Sequence, residues 1–344
     1  MSNKLKILLI GPMPPPIGGA TVLFKQLVDE LELTDVDVKV INTAGGKGLL
    51  QFLTRMLSIG FNILVNISRV DVVSFHSSVS GAYKVGILVR LLCILFGKKW
   101  SFRGFGGNYN KWYEHTNAFN RYIFNKTVLS ANLVLFETKE CVEYFKTKTK
   151  SPVRWYPNSR KINYDYLNSD KSEQALKYIF LGHVKETKGV KLILDIANEL
   201  PDDVTVDIYG PLLDGMTENS FINNKARYCG SLAPEDVMAT LVKYDVLLFP
   251  TFYEGEGYPG VILEAYSCGL PVVTTLWRNI PEIVDRSSGV LIEPMNSQAL
   301  KLSILDLRNS NADYSALCSG VKLKINEFSS DVWSKAFVDM HNNL

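Results

Sequence analysis

The chain has few of the residues that build metal centres and disulfide scaffolds. It contains four histidines and five cysteines among 344 residues. The cysteines are odd in number and scattered, and no pair of them has the spacing of metal ligands. These features exclude a zinc scaffold and a disulfide-rich secreted domain, and they favour reduced thiols in a cytoplasm.

The sequence also lacks a long uninterrupted apolar run. No apolar signal segment with a cleavage site precedes the first strand-like residues, Ile7 to Ile10. The stretch 85–96 is short and contains Arg90, whereas the stretch 49–67 is interrupted by Gln51, Arg55, Asn62 and Asn66. We therefore expect no membrane span, and we interpret the first stretch as a buried helix and the second as an amphipathic one.

Charge is distributed unevenly along the chain. Residues 1–170 hold 22 Lys and Arg against 12 Asp and Glu, a net charge of +10, and residues 171–344 hold 15 against 23, or −8. The basic half suggests an anionic partner, either a phosphorylated acceptor or an anionic membrane surface, although dispersed solvated lysines would give the same count. A nucleic-acid partner is not expected, because aromatic residues do not alternate with the basic runs and no reader motif is present.

Strand-like and helix-like runs alternate through both halves. This alternation is typical of βαβ units, so we predict an α/β protein of two doubly wound, parallel-sheet, Rossmann-like domains that face a cleft. The polar stretch 164–174 resembles a linker between them.

The segment 254–274 carries most of the chemical information. It follows a strand-like run at 245–250 and leads into another at 272–275, so the pattern is strand, loop, short helix and strand. Six of its residues are assigned to a ligand site: Glu256, Gly257, Tyr258, Pro259, Gly260 and Glu264.

These residue types suit a polar ligand. Pro259 fits the first turn of a helix, and the helix start presents backbone N–H groups and a positive dipole end. Gly257 and Gly260 allow a ligand to approach the backbone. Glu256 precedes the helix and Glu264 lies one turn inside it, so both carboxylates can accept hydrogen bonds from sugar hydroxyls. The simpler alternative is a surface loop with two solvated acids.

The same segment resembles the signature of retaining, nucleotide-sugar-dependent glycosyltransferases of family 4, which have the GT-B fold. The matching residues are Glu256, Glu264, Ala265, Gly269, Pro271 and Val272. The resemblance implies an N-terminal acceptor-binding domain over residues 1–165 and a C-terminal donor-binding domain over 166–330. It also implies that a last helix, within 331–344, crosses back onto the first domain.

A second segment, 182–189, resembles the part of the family in which two cations hold the donor diphosphate. Lys188 and Gly189 match, whereas His183 stands where arginine is usual. Two alternatives stay open: the diphosphate keeps His183 protonated, or Lys188 and Lys185 supply the charge.

Other positions are assigned to the site with less specific patterns. Gly18 and Gly19 end a loop that could place backbone amides against phosphate or acceptor oxygens. The loop matches neither the dinucleotide-binding fingerprint nor the phosphate-binding loop of nucleoside triphosphatases. His76 ends a strand and is assigned near the reacting centre, and Arg103 ends the next strand and could meet an acceptor phosphate. By resemblance, Gly210 and Gly230 border the donor nucleotide.

The resemblance implies a retaining transferase that moves a sugar from a nucleoside diphosphate sugar to an acceptor hydroxyl. Glu256 and His76 are the predicted catalytic residues. We expect no cofactor and no metal, since no Asp-x-Asp motif lies near a donor strand. The expected acceptor is a polyprenyl-linked or other glycan in surface polysaccharide synthesis, at the cytoplasmic face of an anionic inner membrane. The alternatives are a non-catalytic glycosyltransferase-like subunit, a nucleotide-sugar binding module, and a nucleotide-sugar epimerase of the same fold.

Overall fold

The computed structural model describes residues 4–16, 18–45, 48–167 and 176–344. The chain divides into two compact units. The first unit comprises Met1–Asn158 and Ser330–Leu344, and the second comprises Ser159–Ser329. Residues 159–165, which the sequence assigns to the first domain, thus pack with the second unit.

The first unit is built on a six-stranded parallel sheet in the order β2-β1-β3-β4-β5-β6. Its strands are β1 Leu5–Gly11, β2 Val36–Asn42, β3 Val72–Ser77, β4 Lys99–Gly104, β5 Leu133–Phe136 and β6 Val153–Trp155. Its helices are α1 Gly19–Glu32, α2 Leu49–Ile67, α3 Val79–Leu95, α4 Tyr109–His115, α5 Ala118–Lys126, α6 Lys139–Lys146 and α13 Ser330–Asn342.

The second unit has its own six-stranded parallel sheet, in the order β12-β11-β10-β7-β8-β9. Its strands are β7 Lys177–Leu181, β8 Thr205–Tyr209, β9 Arg227–Tyr228, β10 Val246–Phe249, β11 Val272–Thr275 and β12 Gly289–Ile292. Its helices are α7 Tyr164–Leu167, α8 Val190–Ala197, α9 Val237–Leu241, α10 Gly260–Ser267, α11 Ser297–Asn309 and α12 Asn311–Lys324. The predicted α/β class with two doubly wound parallel sheets is confirmed.

The two faces of the first sheet are covered by different helices. On one face, α2 and α3 bury Ile59, Ile63 and Val89. On the other face, Phe24 of α1 and Phe337 of α13 pack on the strands. The coverage of both faces fits the apolar run Ile7–Ile10 of β1, whose four residues are fully buried.

Helix α2 requires a correction to the sequence analysis. By length and composition alone, the stretch Leu50–Ile67 is apolar enough to cross a membrane, with a mean hydropathy of 1.3 and only 17% of its residues buried. Its polar residues are too few to offset the leucines, isoleucines and phenylalanines around them. Three buried residues, Ile59, Ile63 and Ile67, attach the helix to the core.

Two further local predictions differ from the structure. The segment interpreted as the start of a linker forms the short helix α7, and residues 168–174 of that predicted linker lie outside the described part of the chain. Helix α4 was not predicted. Tyr109 and Tyr113 of α4 are buried against aromatic neighbours, and such tertiary packing can form a short helix without a clear sequence period.

Candidate functional site

The topology of the second unit points to one edge of its sheet. The strand order reverses between β7 and β10, which are neighbours although they are far apart in sequence. In open parallel sheets, ligands bind outside the carboxyl ends of the strands at such a reversal. The loop after β7 contains Lys188, and the loop after β10 contains Glu256.

Backbone contacts hold these two loops together. The N–H of Phe252 donates a hydrogen bond to the carbonyl of Thr187 over 2.8 Å. Gly189 has φ of +82°, and a Cβ there would lie 2.2 Å from the carbonyl oxygen of Pro250. Only glycine suits both the backbone angle and the close approach. The local backbone thereby places Lys188 next to the loop that carries Glu256.

Lys188 and Glu256 form a largely buried ion pair. The Lys188 ammonium donates to Glu256 Oε1, and the two side chains are 14% and 7% exposed. Thr251 Oγ1 donates to the same carboxylate oxygen over 2.9 Å. The ammonium also lies over the ring of Tyr253, 4.9 Å from its centroid. In a buried ion pair each charge compensates the other, and an anionic ligand can compete for the ammonium.

Glu264 has a partner that the sequence analysis missed. Arg160 donates to Glu264 Oε1 from Nε and from Nη2, both over 3.0 Å. Gly260 makes room for this contact, because a Cβ there would lie 2.1 Å from Arg160 Nη2. The only sequence signal for this contact was a glycine one helical turn before Glu264. It does not predict that the partner is an arginine 104 positions away. Gly260 thus has a packing role beside the predicted ligand contact.

The start of α10 differs slightly from the prediction. Pro259 is the residue before the first helical turn, with φ of −59° and ψ of 119°, and the helix begins at Gly260. Gly257 and Tyr258 are buried. The Tyr258 hydroxyl donates to Glu282 Oε2 over 2.5 Å, so this side chain is engaged inside the second unit.

His183 is exposed at the end of β7, and its surroundings disfavour a positive charge. Partial desolvation of the ring, followed by the charges of Lys188 and Lys185, lowers the pKa of the His183 imidazole below its ordinary value. Lys185 is close by: its ammonium lies 4.2 Å from the centroid of the Tyr253 ring and 3.6 Å from Asp214 Oδ2. Both alternatives for the source of positive charge stay predictions.

The predicted glycines of the second unit lie at the ends of neighbouring strands. The N–H of Gly210 donates to the carbonyl of Gly230 over 2.8 Å. Gly210 has φ of +138°, and a Cβ there would lie 1.8 Å from the carbonyl oxygen of Gly182. Any side chain at 210 would separate these loops, so the glycine is required by the backbone. The assigned contacts of Gly210 and Gly230 with a nucleotide stay predictions.

In the first unit, His76 is fully buried. Its ring lies 5.0 Å from Phe24 and 5.9 Å from Phe337 by ring centroids. Its Nε2 is 2.9 Å from Ser74 Oγ, and no described residue bonds its Nδ1. Burial, then the charge of Arg103, lowers the pKa of His76 well below its ordinary value. The ring is therefore neutral and enclosed, and its assignment as catalytic stays a prediction.

Arg103 is also enclosed in the first unit. It is 3% exposed, and its guanidinium lies 4.3 Å from the centroid of the Tyr156 ring. Burial lowers its pKa, whereas Tyr156, Glu137 and Glu30 act in the opposite direction. An acceptor phosphate would have to displace these neighbours, so the assigned contact stays a prediction.

The glycine pair at the start of α1 is open to solvent. A Cβ at Gly18 or at Gly19 would meet no atom within 4 Å. The N–H of Gly18 donates to Thr21 Oγ1 over 3.0 Å, so this amide is engaged within the helix start. Their assigned role in binding acceptor or phosphate oxygens stays a prediction.

No metal-binding cluster is found in the described ranges. None of the described His, Cys, Asp and Glu side chains form a group of three or more that could hold a metal ion.

Comparison with known proteins shows what part of the chain is similar to. Residues 175–310 match the family described as glycosyl transferases group 1. The chain is 28% identical to the O-antigen chain mannosyltransferase B of Escherichia coli over 141 residues, which cover 37% of this chain and 35% of that protein. The chain spans less than half the length of the first curated relatives it matches.

Two solved structures share the fold over nearly the whole chain. Sucrose-phosphate synthase from Thermosynechococcus elongatus has a TM-score of 0.76 at 14% identity, with 98% of each chain covered. HepE from Anabaena, solved in complex with UDP, has a TM-score of 0.75 at 15% identity, with 99% of this chain and 100% of that chain covered. The match over residues 175–310 and the shared fold together support the resemblance to GT-B glycosyltransferases of family 4.

Proposed function

We propose that the chain is a retaining glycosyltransferase that moves a sugar from a nucleoside diphosphate sugar to an acceptor hydroxyl in surface polysaccharide synthesis. The observation that carries this proposal is the buried Lys188–Glu256 pair at the strand-order reversal of the second unit. A cation and a carboxylate on adjoining loops suit the two charges that develop in sugar transfer, a negative diphosphate and a positive sugar ring.

The residues of the second unit divide this task between them. Lys188 stabilises the leaving diphosphate, assisted by Lys185 and the amides at the start of α10. Glu256 accepts hydrogen bonds from the sugar and steadies its positive centre. Glu264, held by Arg160, accepts hydrogen bonds from the ribose hydroxyls. No resident metal is needed in this scheme, because lysine and helix-start amides supply the positive charge.

Retention at the anomeric carbon follows from attack on the face that the diphosphate leaves. A double displacement would need a nucleophile that bonds the anomeric carbon. Glu256 is the buried carboxylate of these loops, and its Oε1 is already bonded by Lys188 and Thr251. We therefore infer internal return rather than a covalent intermediate. The known complex of HepE with UDP supports a nucleotide-sugar donor, and the O-antigen relative supports a glycan acceptor.

The test is a transfer assay followed by NMR. The protein is incubated with UDP-, GDP- and ADP-sugars, with and without lipid-linked oligosaccharide. We expect acceptor-dependent release of one nucleoside diphosphate and a product whose anomeric configuration equals that of the donor. An inverted product would contradict retention, and conversion of the donor without acceptor would indicate an epimerase.

A second candidate is a nucleotide-sugar binding module without catalysis. The observation that favours it is His183, a neutral imidazole in the position where the family resemblance expects arginine. In the same assay a binding module would raise the unfolding temperature with nucleotide sugar but release no nucleoside diphosphate.

We further propose that the first unit binds the acceptor at the cytoplasmic face of an anionic membrane, through the outer surface of α2 and α3. Both helices pack on the same face of the sheet. Their opposite sides carry an exposed apolar surface, which we call the α2–α3 surface. It consists of Leu50, Leu53, Leu57, Phe61 and Leu64 of α2, 44 to 75% exposed, and Ile87, Leu91, Ile94 and Leu95 of α3, 38 to 74% exposed.

Charge favours a lipid surface as the partner. The two helices carry Arg55, Lys84 and Arg90 and no acidic residue, and Asp71 is the only acid between Asp37 and Glu114. The Lys84 ammonium lies 5.9 Å from the centroid of the Phe52 ring, beside the α2–α3 surface. Apolar side chains flanked by cations are typical of surfaces that insert shallowly among anionic headgroups.

Vesicle sedimentation tests this surface. We expect the wild type to bind vesicles of phosphatidylcholine with 30% phosphatidylglycerol, and Leu57→Asn/Phe61→Asn to bind about tenfold more weakly. Leu33→Asn is the matched control, because Leu33 is 84% exposed and follows α1 on the other face of the sheet. Equal vesicle binding by all three proteins would contradict the proposal. A wild-type protein that is dimeric, and that the double substitution makes monomeric, would also contradict it, because the surface would then be a dimer interface.

A further inference from the structure

The loop after β11 carries an arginine in an unfavourable environment. Arg278 has φ of +51°, and its side chain is only 7% exposed. Its Nε and Nη1 are buried and have no hydrogen-bond partner among the described residues. Glu254 Oε2 lies 3.7 Å from Nη1, but the Glu254 side chain is 74% exposed. An exposed acid at this distance compensates a buried guanidinium poorly.

Both features of Arg278 oppose folding. A residue with a side chain is strained in the left-handed region, where glycine is favoured. Buried donors without acceptors lose the hydrogen bonds they make to water in the unfolded chain. Strain and unsatisfied donors at one residue are typical of positions kept for a ligand.

The position of Arg278 connects it to the candidate site. Thr275 at the end of β11 donates from Oγ1 to the carbonyl of Thr251 over 2.5 Å. Trp277 donates from Nε1 to the carbonyl of Tyr253 over 2.8 Å. The ring of Tyr253 is the one that Lys185 and Lys188 contact. Arg278 therefore lies next to the loop after β10, which carries Tyr253 and Glu256 and which the two lysines contact. This loop is at the carboxyl edge of the sheet.

We propose that Arg278 binds an oxyanion of the nucleotide-sugar donor, either the diphosphate or a carboxylate on the transferred sugar. This inference rests on the proposed function and adds a ligand contact to it. A guanidinium presents paired N–H donors that match the oxygens of either group. The loop after β7 has His183 at the position where the family resemblance leads one to expect arginine. Arg278 places a guanidinium at the same edge of the sheet.

The substitution Arg278→Gly should weaken ligand binding without lowering stability. Glycine relieves the backbone strain and removes the buried donors, so we expect the unfolding temperature to stay equal or to rise. Binding of the oxyanion should weaken at least tenfold, as expected for loss of a charge-assisted contact. Arg278→Lys keeps the charge and should fall between the wild type and the glycine variant.

Calorimetric titration provides the test. UDP, GDP and ADP probe the diphosphate, and a comparison of UDP-glucose with UDP-glucuronate probes a sugar carboxylate. Two matched controls accompany Arg278→Gly. Arg286→Gln removes an exposed arginine of the same unit, and Met295→Gly changes an exposed residue with φ of +60°. The first control should leave binding unchanged, and the second measures the effect of backbone relief alone on stability.

The outcomes separate this inference from the proposed function. Weaker binding of the nucleoside diphosphate by Arg278→Gly assigns the arginine to the diphosphate, and a loss confined to UDP-glucuronate assigns it to the sugar. If Arg278→Gly binds all these ligands as the wild type does, the inference is overturned and the proposed function is left intact. A lower unfolding temperature of Arg278→Gly also overturns the inference, because Arg278 would then be a structural residue. A wild type that binds none of these nucleotides overturns both.

Discussion

Replacement of Lys188 by methionine should reduce sugar transfer by about 10²- to 10³-fold, the loss expected when one preorganised electrostatic contact to the leaving group is removed. Methionine keeps the length of the side chain and its packing over Tyr253, so charge is the main property that changes. The effect should appear mainly in kcat, because the diphosphate gains negative charge as the sugar leaves. Lys191→Met is the matched control. Lys191 is 63% exposed and lies one turn from Lys188, so transfer should be unchanged.

The Lys188 variant also changes stability, and this effect has to be separated from catalysis. Without its ammonium, the Glu256 carboxylate is buried without a counter-charge, which typically costs about 3–5 kcal/mol. The double variant Lys188→Met/Glu256→Gln removes both charges and should recover most of that stability while it stays inactive. If Lys188→Met transfers sugar at the wild-type rate, Lys188 is not the diphosphate cation.

Replacement of Glu256 by glutamine should have an effect of similar size on transfer, about 10²- to 10³-fold, for a different reason. Glutamine can still accept the hydrogen bond from Thr251, but it cannot stabilise a positive sugar ring. The loss should therefore appear in kcat, measured by steady-state release of nucleoside diphosphate.

Glu264→Gln is the internal comparison for Glu256. It weakens a contact to the ribose that is similar in the ground state and the transition state, so KM for the donor should rise about tenfold with little change in kcat. Arg160 is left with a neutral partner in this variant, and its stability should be measured in parallel. Full turnover in both glutamine variants would remove the roles assigned to the two acids.

The sequence predicted the architecture because local patterns determine it. Parallel strands buried on both faces are rich in apolar and β-branched residues, so runs such as 246–249 and 272–275 were evident as strands. The Glu256 loop and the glycine at 189 were found because both segments match the pattern of a known family.

The parts that could not be predicted depend on distant contacts. Arg160 contacts Glu264 although the two residues are 104 positions apart, and no local sequence pattern around either residue predicts the pair. His76 lies next to the last residue of its strand, but α1 and α13 enclose its ring, and the contribution of α13 comes from the far end of the chain. The strain at Arg278 is a property of its backbone angle and burial, which a single sequence does not reveal.

The central claim is that Lys188 is paired with Glu256 in a site that binds a nucleoside diphosphate. Calorimetric titration of the preferred nucleoside diphosphate into the wild type, Lys188→Met and Glu256→Gln tests it most directly. The account predicts weaker binding by Lys188→Met and equal or tighter binding by Glu256→Gln, because the ammonium no longer has a competing carboxylate. Equal dissociation constants for all three proteins would contradict it.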